Sequence, residues 1–303
     1  MEPKSLSSVE TQPEDLLDID IEKFRGNNFI TLLEADLNDN LRQLKATLPA
    51  GLLEVKTANN WIEQASKRPI PRMLFSEFWY EQELCILFAD TNVGKTILAV
   101  QIADSISCGR SIPGFKLETM AQKVIYCDFE LNDKQFQGRY SHNYGEPYVF
   151  SDNFLRVEIN PDAVFPEDAS FELSLSNAIE SVIIETGAKI LIIDNITYLR
   201  HENERAKDAL PLMKHLKMLK NKYNLSLLVL AHTPKRDLTK PLTRNDLQGS
   251  KVLMNFCDSS FAIGESSSDS SFRYIKMIKV RSTEHIYDSY NIIVCQITKP
   301  DNF

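Results

Sequence analysis

Short apolar runs alternate with amphipathic segments along most of this chain. The runs LCILFA, KVIYCDF, NFLRVEI, AKILIID and LSLLVLAH predict strands, and several of them are apolar on both faces. Helical patterns fill intervals at 95–108, 171–187 and 206–223, and Asn132 caps a further predicted helix within NDKQFQGRYSHN. Near-continuous apolar strands separated by helices are typical of a mainly parallel sheet with helices on both faces. The pattern therefore predicts an α/β fold.

The two ends of the chain follow other patterns. Residues 1–20 are polar and acidic without periodicity, which predicts a flexible tail, and 21–66 form a small helical region with leucines at helical spacing. The stretch KRPIPRMLF, with two prolines, predicts an extended entry into the main domain at 67–303. Near the C-terminus, SSFAIGE, FRYIKMIKV and YNIIVCQI predict three strands that extend the same sheet in antiparallel fashion.

Composition narrows the class of protein. Hydrophobic residues make up 43% of the 303, which is enough for a full core. The formal net charge of −8 argues against a protein whose overall electrostatic field attracts it to nucleic acid or to anionic membranes. The five cysteines show no C-x-x-C pattern and lie mostly in apolar runs, so we expect buried free thiols in a reducing cytosol. The polar N-terminus is no signal peptide, and no apolar run approaches the roughly 20 residues of a membrane span. These features predict a cytoplasmic protein with no membrane partner.

The stretch FADTNVGKTILAV nearly matches the phosphate-binding loop G-x-x-x-x-G-K-[ST]. It lies between a predicted strand and a helix, where backbone N–H groups at the helix N-terminus bind phosphate. Gly94 would permit close backbone approach, Lys95 would reach the β and γ phosphates of ATP, and Thr96 would ligate Mg²⁺. Alanine replaces the leading glycine, at little cost if φ is negative there and at about 1 kcal/mol or more if φ is positive. The candidate nucleotide-binding residues are Ala89, Asp90, Thr91, Asn92, Val93, Gly94, Lys95, Thr96 and Ile97.

Acidic residues at two predicted strand ends support this loop. Asp194 ends the strand KILIID, where a carboxylate can hold the metal ion opposite Thr96 or merely cap the strand. Glu130 follows VIYCDF and can polarise the attacking water, with Asp128 as a rival for that role. Because α/β sheets bind ligands beyond the carboxyl ends of their strands, the three features together favour a nucleotide site over a chance Gly-Lys-Thr.

Four segments resemble, in order and spacing, the core of the RecA-type ATPases: CILFADTNVGKTILAVQIADSI, KVIYCDFELNDKQFQGRY, KILIIDNITYL and LLVLAHTPK. The resemblance runs from about Arg68 to Ile297 and is closest to the hexameric plasmid-replication helicase RepA and its relatives, alongside DnaB and KaiC. It implies a RecA-like P-loop core, with Glu130 as catalytic base and His232 as sensor of the γ phosphate. The chain departs from that family at the leading glycine, and it has no nucleic-acid-binding module beside the core.

Two further segments fit the same resemblance. The stretch LQGSKVLMNFCDSSFAI places Gly249, Ser250 and Asp258 at positions that match the family. In MIKVRST, Lys279 and Arg281 lie two apart on a strand and therefore on one face. The resemblance implies that this pair enters a neighbouring subunit's site as an arginine finger, so that catalysis requires a ring or filament with head-to-tail interfaces, by resemblance a hexameric ring. The alternative is a solvated basic strand face.

A basic loop follows His232. The resemblance implies that this loop faces the central channel of the ring and touches single-stranded DNA, although it lacks the aromatic residues on which bases stack. The alternative is a solvated loop with no ligand. Its basic residues, which outnumber Asp237 and Asp246, are Lys235, Arg236, Lys240, Arg244 and Lys251.

Two functions follow from these observations. The first is an ATP-hydrolysing ring ATPase that moves along DNA as a helicase, in the replication or transfer of a plasmid or other mobile element. The second is an ATP-switched regulatory or assembly module that binds a protein partner and moves nothing. The acidic net charge and the missing accessory domain favour the second.

Overall fold

The computed structural model describes residues 53–163, 171–196, 209–247, 250–300 and 303. The tail predicted at 1–20 and the leucine pattern of the N-terminal region lie outside these residues. The chain divides into two compact units, with the boundary in sequence between Pro69 and Ile70.

The described part of the first unit contains one helix. Helix α1 spans Ala58–Ser66, within the region predicted to be helical. It begins where the Thr57 hydroxyl accepts a hydrogen bond of 3.3 Å from the N–H of Asn60, which satisfies one of the free donors of the first turn.

A mainly parallel sheet organises the second unit, as the apolar runs predict. Its described strands are β1 Met73–Phe75, β2 Trp79–Tyr80, β3 Leu84–Ala89, β4 Val124–Asp128, β5 Phe154–Val157, β6 Ile190–Asp194, β7 Ser226–His232, β8 Ser259–Glu265, β9 Phe272–Lys279 and β10 Ile293–Gln296. An eight-stranded sheet has the order β10-β9-β8-β3-β7-β6-β4-β5, and its strands from β8 to β5 are parallel.

Helices cover both faces of this sheet. The described ones are α2 Lys95–Cys108, α3 Asp133–Arg139, α4 Phe171–Thr186, α5 Ala209–Tyr223 and α6 Ser250–Phe256. Adjacent residues of β3 show the two layers, because Ile86 packs with Ile179 of α4 and Leu216 of α5. Leu87 packs on the opposite face, with Ile102 of α2. Each such buried side chain contributes roughly 1.5–3 kcal/mol through the apolar surface it removes from water.

The predicted direction of one C-terminal strand is wrong. Strand β8 pairs with β3 in parallel, and the antiparallel pairing of the C-terminal strands begins between β8 and β9 and continues between β9 and β10. The reason is that α6 precedes β8 and returns the chain across the sheet, as parallel strands require. The chain reverses direction only at the polar turn after Glu265, where β9 begins its antiparallel pairing with β8.

A short hairpin that the sequence pattern did not reveal precedes β3. Strands β1 and β2 pair in antiparallel fashion and bury Phe75, Phe78 and Trp79. The Phe75 ring stacks on Phe115 at 4.4 Å and the Phe78 ring on Tyr287 at 4.8 Å, measured between centroids. The hairpin thus extends the core on the α2 face of the sheet.

The cysteines agree with the prediction of free, mostly buried thiols. Cys85, Cys127 and Cys257 are buried, and all five are unpaired with one another. Burial raises the pKa of the Cys127 thiol to about 12, which makes it a poor nucleophile. Over the part of the chain that the structure describes, no helix has the length and apolarity to cross a membrane.

Candidate nucleotide-binding site

The predicted phosphate loop connects β3 to α2. Strand β3 ends at Ala89, and α2 begins at Lys95, the helix start that the sequence predicts. Gly94, directly before the helix, has a φ of +109°, and a Cβ built there would lie 2.5 Å from Ile297 Cδ1. The backbone conformation therefore favours glycine at this position, and a side chain there would also require Ile297 to shift.

Alanine in place of the leading glycine causes no backbone strain. Ala89 is a fully buried residue of β3 and pairs with His232 of the neighbouring strand β7. The positive φ angles of the loop fall at Asn92, with +65°, and at Gly94, but not at Ala89. Since an extended conformation suits alanine, the loop tolerates this departure from the template.

A cavity of about 360 Å³ opens beside the loop. Its walls come from loop residues 90–92 and 94–97, together with Glu130, Arg139, His232 and Ile297. Glu130 follows β4 and His232 ends β7, so the cavity lies beyond the carboxyl ends of parallel strands. This is the edge at which α/β sheets bind ligands.

Three predicted catalytic residues meet at this cavity. Lys95 Nζ lies 3.3 Å from His232 Nε2, which lies 3.1 Å from Glu130 Oε1. The amide of Asn195 donates to Glu130 Oε1 and lies 3.1 Å from His232 Nε2. The peptide bond between Asp194 and Asn195 is cis. Side chains from four separate segments therefore form one hydrogen-bonded cluster.

The electrostatics of this cluster keep Glu130 ionised. The hydrogen bond from His232 lowers the pKa of Glu130, with help from the charge of Lys95 and against the effect of burial. Burial lowers the pKa of Lys95, against the opposing effects of Asp194 and Glu130. An ionised carboxylate of this kind can accept a hydrogen bond from a water molecule and orient it for attack.

Asp194, the predicted metal carboxylate, has an unsatisfied oxygen. The hydroxyl of Tyr126 donates to Asp194 Oδ2 at 2.8 Å, whereas Oδ1 is buried and has no hydrogen-bond partner among the described residues. Burial, opposed by the charge of Lys95, raises the pKa of Asp194 to about 6, and the nearby Thr96 hydroxyl acts against the rise. A buried carboxylate oxygen without a partner, beside a threonine hydroxyl, fits the ligand preferences of Mg²⁺.

Asp128, the rival of Glu130, is held away from this chemistry. Its Oδ1 accepts hydrogen bonds from the backbone N–H groups of Glu130 and Leu131, at 3.2 and 2.9 Å. Its Oδ2 accepts one from Arg156 Nε at 2.9 Å, and the carboxylate is fully buried. Asp128 therefore fixes the turn that carries Glu130 and does not line the cavity.

The two predicted finger residues have different surroundings. Lys279 Nζ donates to the backbone carbonyl oxygens of Met254 and, at 2.7 Å, of Cys257. Arg281 has about half of its side chain exposed and lies 3.3 Å from Asp258 Oδ1. Lys279 thus binds the end of helix α6 within its own chain, while the guanidinium of Arg281 is accessible.

The basic loop is divided in the same way. Arg236 forms a two-pronged ion pair with Asp90 of the phosphate loop, at 3.0 Å from Nη2 to Oδ2. Lys235, Lys240 and Arg244 are exposed. The side chain of Lys251 lies outside the described residues, as does Gly249. Three of the five predicted DNA contacts are therefore accessible cations, and Arg236 has an internal partner.

Three residues of this site are not among those predicted from the sequence. Asn195 directly follows Asp194 at a strand end, and that position was a usable signal. Arg139 lies in the last turn of α3, soon after Glu130 in the sequence, and this proximity to Glu130 was also a usable signal. Ile297 gave no signal, because its contact with Gly94 depends on how the chain returns after β10.

Comparisons with known proteins agree with this geometry. A family model described as AAA domain matches residues 49–237, which include the phosphate loop, Glu130, Asp194 and His232. A KaiC-like protein from the hyperthermophilic archaeon Pyrococcus horikoshii OT3 superposes with a TM-score of 0.50 at 14% identity, over 75% of this chain and 100% of that one. No curated protein matches the sequence. Since the family model matches more than half of the chain, the protein belongs to the AAA-domain family and has the RecA-type P-loop ATPase fold.

Proposed function

We propose that this protein binds ATP together with Mg²⁺ and hydrolyses the γ phosphate by in-line attack of water. The observation that carries the proposal is the meeting of Lys95, Glu130 and His232 at the cavity beside the phosphate loop. A degenerate fold that only binds nucleotide would not need an ionised carboxylate at this place.

Each side chain of the cluster has a role in this proposal. Lys95 neutralises charge on the phosphates, and the ionised Glu130 orients and deprotonates the attacking water. His232 touches both Lys95 and Glu130, so it can sense whether a γ phosphate is present. Asn195 holds Glu130 Oε1 and acts as a positioning residue.

Thr96 and Asp194 would hold the Mg²⁺ ion, which supplies charge neutralisation across the β and γ phosphates when it is bound. The unsatisfied Asp194 Oδ1 supports this assignment. Tyr126 keeps the other carboxylate oxygen in place through its hydroxyl.

Steady-state hydrolysis of Mg–ATP tests the proposal. We expect turnover by the unmodified protein, and loss of turnover in Lys95→Ala and in Glu130→Gln. Glu130→Gln should still bind ATP, because it removes the base and leaves the phosphate loop intact. An unmodified, folded protein that binds ATP without turnover would overturn the proposal.

The finer proposal is a ring-forming motor that moves along single-stranded DNA, with Arg281 acting in the neighbouring subunit's site. The exposed Arg281 and the exposed cations Lys235, Lys240 and Arg244 support it. Plasmid or mobile-element replication and a cytoplasmic location are further expectations that come from the sequence. A ring predicts that mixing Lys95→Ala with Arg281→Ala restores part of the turnover, because mixed interfaces join an intact loop to an intact finger.

An ATP-switched module that binds a protein partner is the second candidate. The ion pair between Arg236 and Asp90 favours this candidate. It directs one cation of the basic loop to the phosphate loop, so that this cation is not available to bind DNA. Stimulation of turnover by single-stranded DNA, falling steeply with salt, would select the motor. Equal turnover with and without DNA would select the module.

A further inference from the structure

A second cavity, of about 300 Å³, shares no wall residue with the nucleotide cavity. Loop residues 238–241 form one part of its lining. Tyr274 and Lys276 of β9, with Ser289 from the segment before β10, form another. Nothing in the proposed ATP chemistry uses this cavity.

Lys276 is the unusual feature of this cavity. Its side chain is only 5% exposed, although it lies in the middle of a strand whose adjacent residues, Ile275 and Met277, enter the core. Because side chains alternate along a strand, Lys276 projects on the same face as Tyr274, toward the loop. Tyr274 fixes that loop, since its hydroxyl accepts a 2.9 Å hydrogen bond from the N–H of Leu242.

The Lys276 ammonium is poorly compensated. Its hydrogen bond is a long one, 3.5 Å from Nζ to Ser289 Oγ, and within the described residues no carboxylate lies within 4.0 Å of Nζ. Burial is the main cause that lowers the pKa of Lys276. The more distant charges of Asp246 and Asp288 act to raise this pKa, and the charge of Arg236 acts to lower it. An ammonium buried without a close anion is costly, so proteins keep such groups paired or bound to a ligand.

The polar part of the remaining lining suits an oxyanion. Ser266, Ser267 and Ser289 contribute hydroxyl groups. Lys240 contributes a second ammonium, 3.6 Å from Asp237 Oδ2, whereas the Thr239 hydroxyl donates to Asp237. The carboxylate of the lining, Glu265, pairs with Arg273 at 3.3 Å. Hydroxyl and ammonium donors distributed around a cavity match the several acceptor oxygens of a phosphate group.

We propose that Lys276 is the centre of a second site that binds a phosphate group. The proposal is independent of ATP hydrolysis, because the phosphate loop takes no part in it. The phosphate comes either from free orthophosphate or from the backbone of single-stranded DNA, and the same ammonium and hydroxyl donors would serve both.

The test uses the full chain with Lys95→Ala as background, which weakens phosphate binding at the phosphate loop and is shared by all variants compared. Thermal unfolding is followed while inorganic phosphate is titrated at constant ionic strength. Phosphate should raise the midpoint, and adding Lys276→Met should weaken the apparent phosphate affinity by at least about tenfold, the loss of one charge-assisted hydrogen bond. Lys123→Met, at an exposed lysine, is the matched control and should leave the affinity unchanged.

A second readout distinguishes a ligand site from a structural lysine. Without phosphate, Lys276→Met should unfold at the same or a higher temperature, because it removes an uncompensated buried charge. A large drop in midpoint together with an unchanged phosphate response would overturn the proposal. If Lys276→Met fails to fold, Ser289→Ala and Lys240→Ala serve instead, and an unchanged phosphate affinity in both is equally fatal to it.

A parallel arm with an oligothymidylate identifies the source of the phosphate. If Lys276→Met weakens oligothymidylate binding and reduces its salt dependence by about one ion, the site binds a backbone phosphate. If only the response to inorganic phosphate changes, the site binds the free anion. If neither changes, the cavity has no phosphate site.

Discussion

Asp90 in the phosphate loop and Arg236 in the basic loop form a two-pronged ion pair. Arg236 Nε lies 3.0 and 3.1 Å from the two carboxylate oxygens, and Nη2 lies 3.0 Å from Oδ2. Thr233 also donates its hydroxyl to Asp90 Oδ1. Both charged side chains are largely buried, so the pair joins the loop proposed to bind ATP to the loop that carries the exposed cations.

Replacing Arg236 should lower the stability of the protein. Arg236→Ala leaves Asp90 without its cation in a mostly buried position, and we expect a loss of roughly 2–4 kcal/mol in the free energy of unfolding. Chemical denaturation measures it, with exposed Lys235→Ala as the control within about 0.5 kcal/mol of the unmodified protein.

A double-mutant cycle with Asp90→Asn then isolates the pair itself. A coupling energy above about 1 kcal/mol is expected for such a desolvated, two-pronged pair. A coupling near zero, with Arg236→Ala as stable as Lys235→Ala, would mean that the pair does not hold the two loops together.

Substitutions at positions 89 and 94 of the phosphate loop should have different effects on ATP affinity. Gly94→Ala introduces a side chain at a φ of +109° and against Ile297, so we expect ATP affinity to fall at least tenfold, from about 1–2 kcal/mol of backbone strain plus the steric contact. Ala89→Gly restores the template but should not tighten ATP binding, because Ala89 lies in an unstrained strand.

Isothermal titration of both variants with ATP checks these expectations. The double variant Gly94→Ala with Ile297→Ala separates the two causes, since it removes the contact and keeps the strain. Recovery of full affinity would show that the backbone at position 94 is not strained, contrary to the structure.

Most of the fold can be predicted from the local sequence pattern. The features that were predicted wrongly or not at all depend on contacts between distant parts of the chain. Strand β3 is apolar at every position and β6 at every position before Asp194, and both end at turns, which is why pattern alone locates them. The direction of β8 depends on whether the preceding short segment crosses the sheet as a helix, and α6 is too short for periodicity to settle that. The β1–β2 hairpin likewise depends on aromatic contacts with distant residues such as Phe115.

The candidate site divides along the same line. Lys95, Thr96, Glu130 and Asp194 are predictable because each belongs to a strand end or a helix start. The pairing of Arg236 with Asp90 is not predictable in this way, because the number of cations in a loop does not show which of them has a partner elsewhere in the chain. Charge in a sequence therefore indicates a basic loop, but contacts decide which of its cations is available.

Substitutions of Glu130 and Asp128 should affect different properties: turnover for Glu130 and stability for Asp128. Glu130→Gln should lower kcat by about 10²- to 10⁴-fold with little change in the free energy of unfolding, as expected for loss of a general base. Asp128→Asn breaks a buried pair with Arg156 and should cost about 3 kcal/mol of stability. Glu158→Gln, at the exposed partner of Arg156, is the control and should cost no more than about 1 kcal/mol.

Rapid-quench kinetics and denaturant melts of the three variants give the two quantities. A stable but inactive Asp128→Asn beside an active Glu130→Gln would transfer the role of base to Asp128.

Lys279 and Arg281 should also differ, although they lie two residues apart. Lys279 binds the carbonyl oxygens of Met254 and Cys257 at the end of α6, so Lys279→Met should lower the free energy of unfolding by about 1.5–3 kcal/mol through lost charge-assisted hydrogen bonds. Arg281→Met removes a half-exposed side chain whose contact with Asp258 is worth at most about 1 kcal/mol. Its turnover should nevertheless fall if Arg281 acts in a neighbouring subunit.

Mixing each variant with Lys95→Ala tells the two roles apart. Turnover should return for Arg281→Met, whose own phosphate loop is intact. It should not return for Lys279→Met, because the helix end is disturbed in every subunit that keeps an intact phosphate loop. Restoration by mixing for both variants, with unchanged stability, would mean that Lys279 leaves its carbonyl partners and enters the neighbouring site beside Arg281. The stability of Lys279→Met therefore decides whether the pair acts as one finger or as a finger and its support.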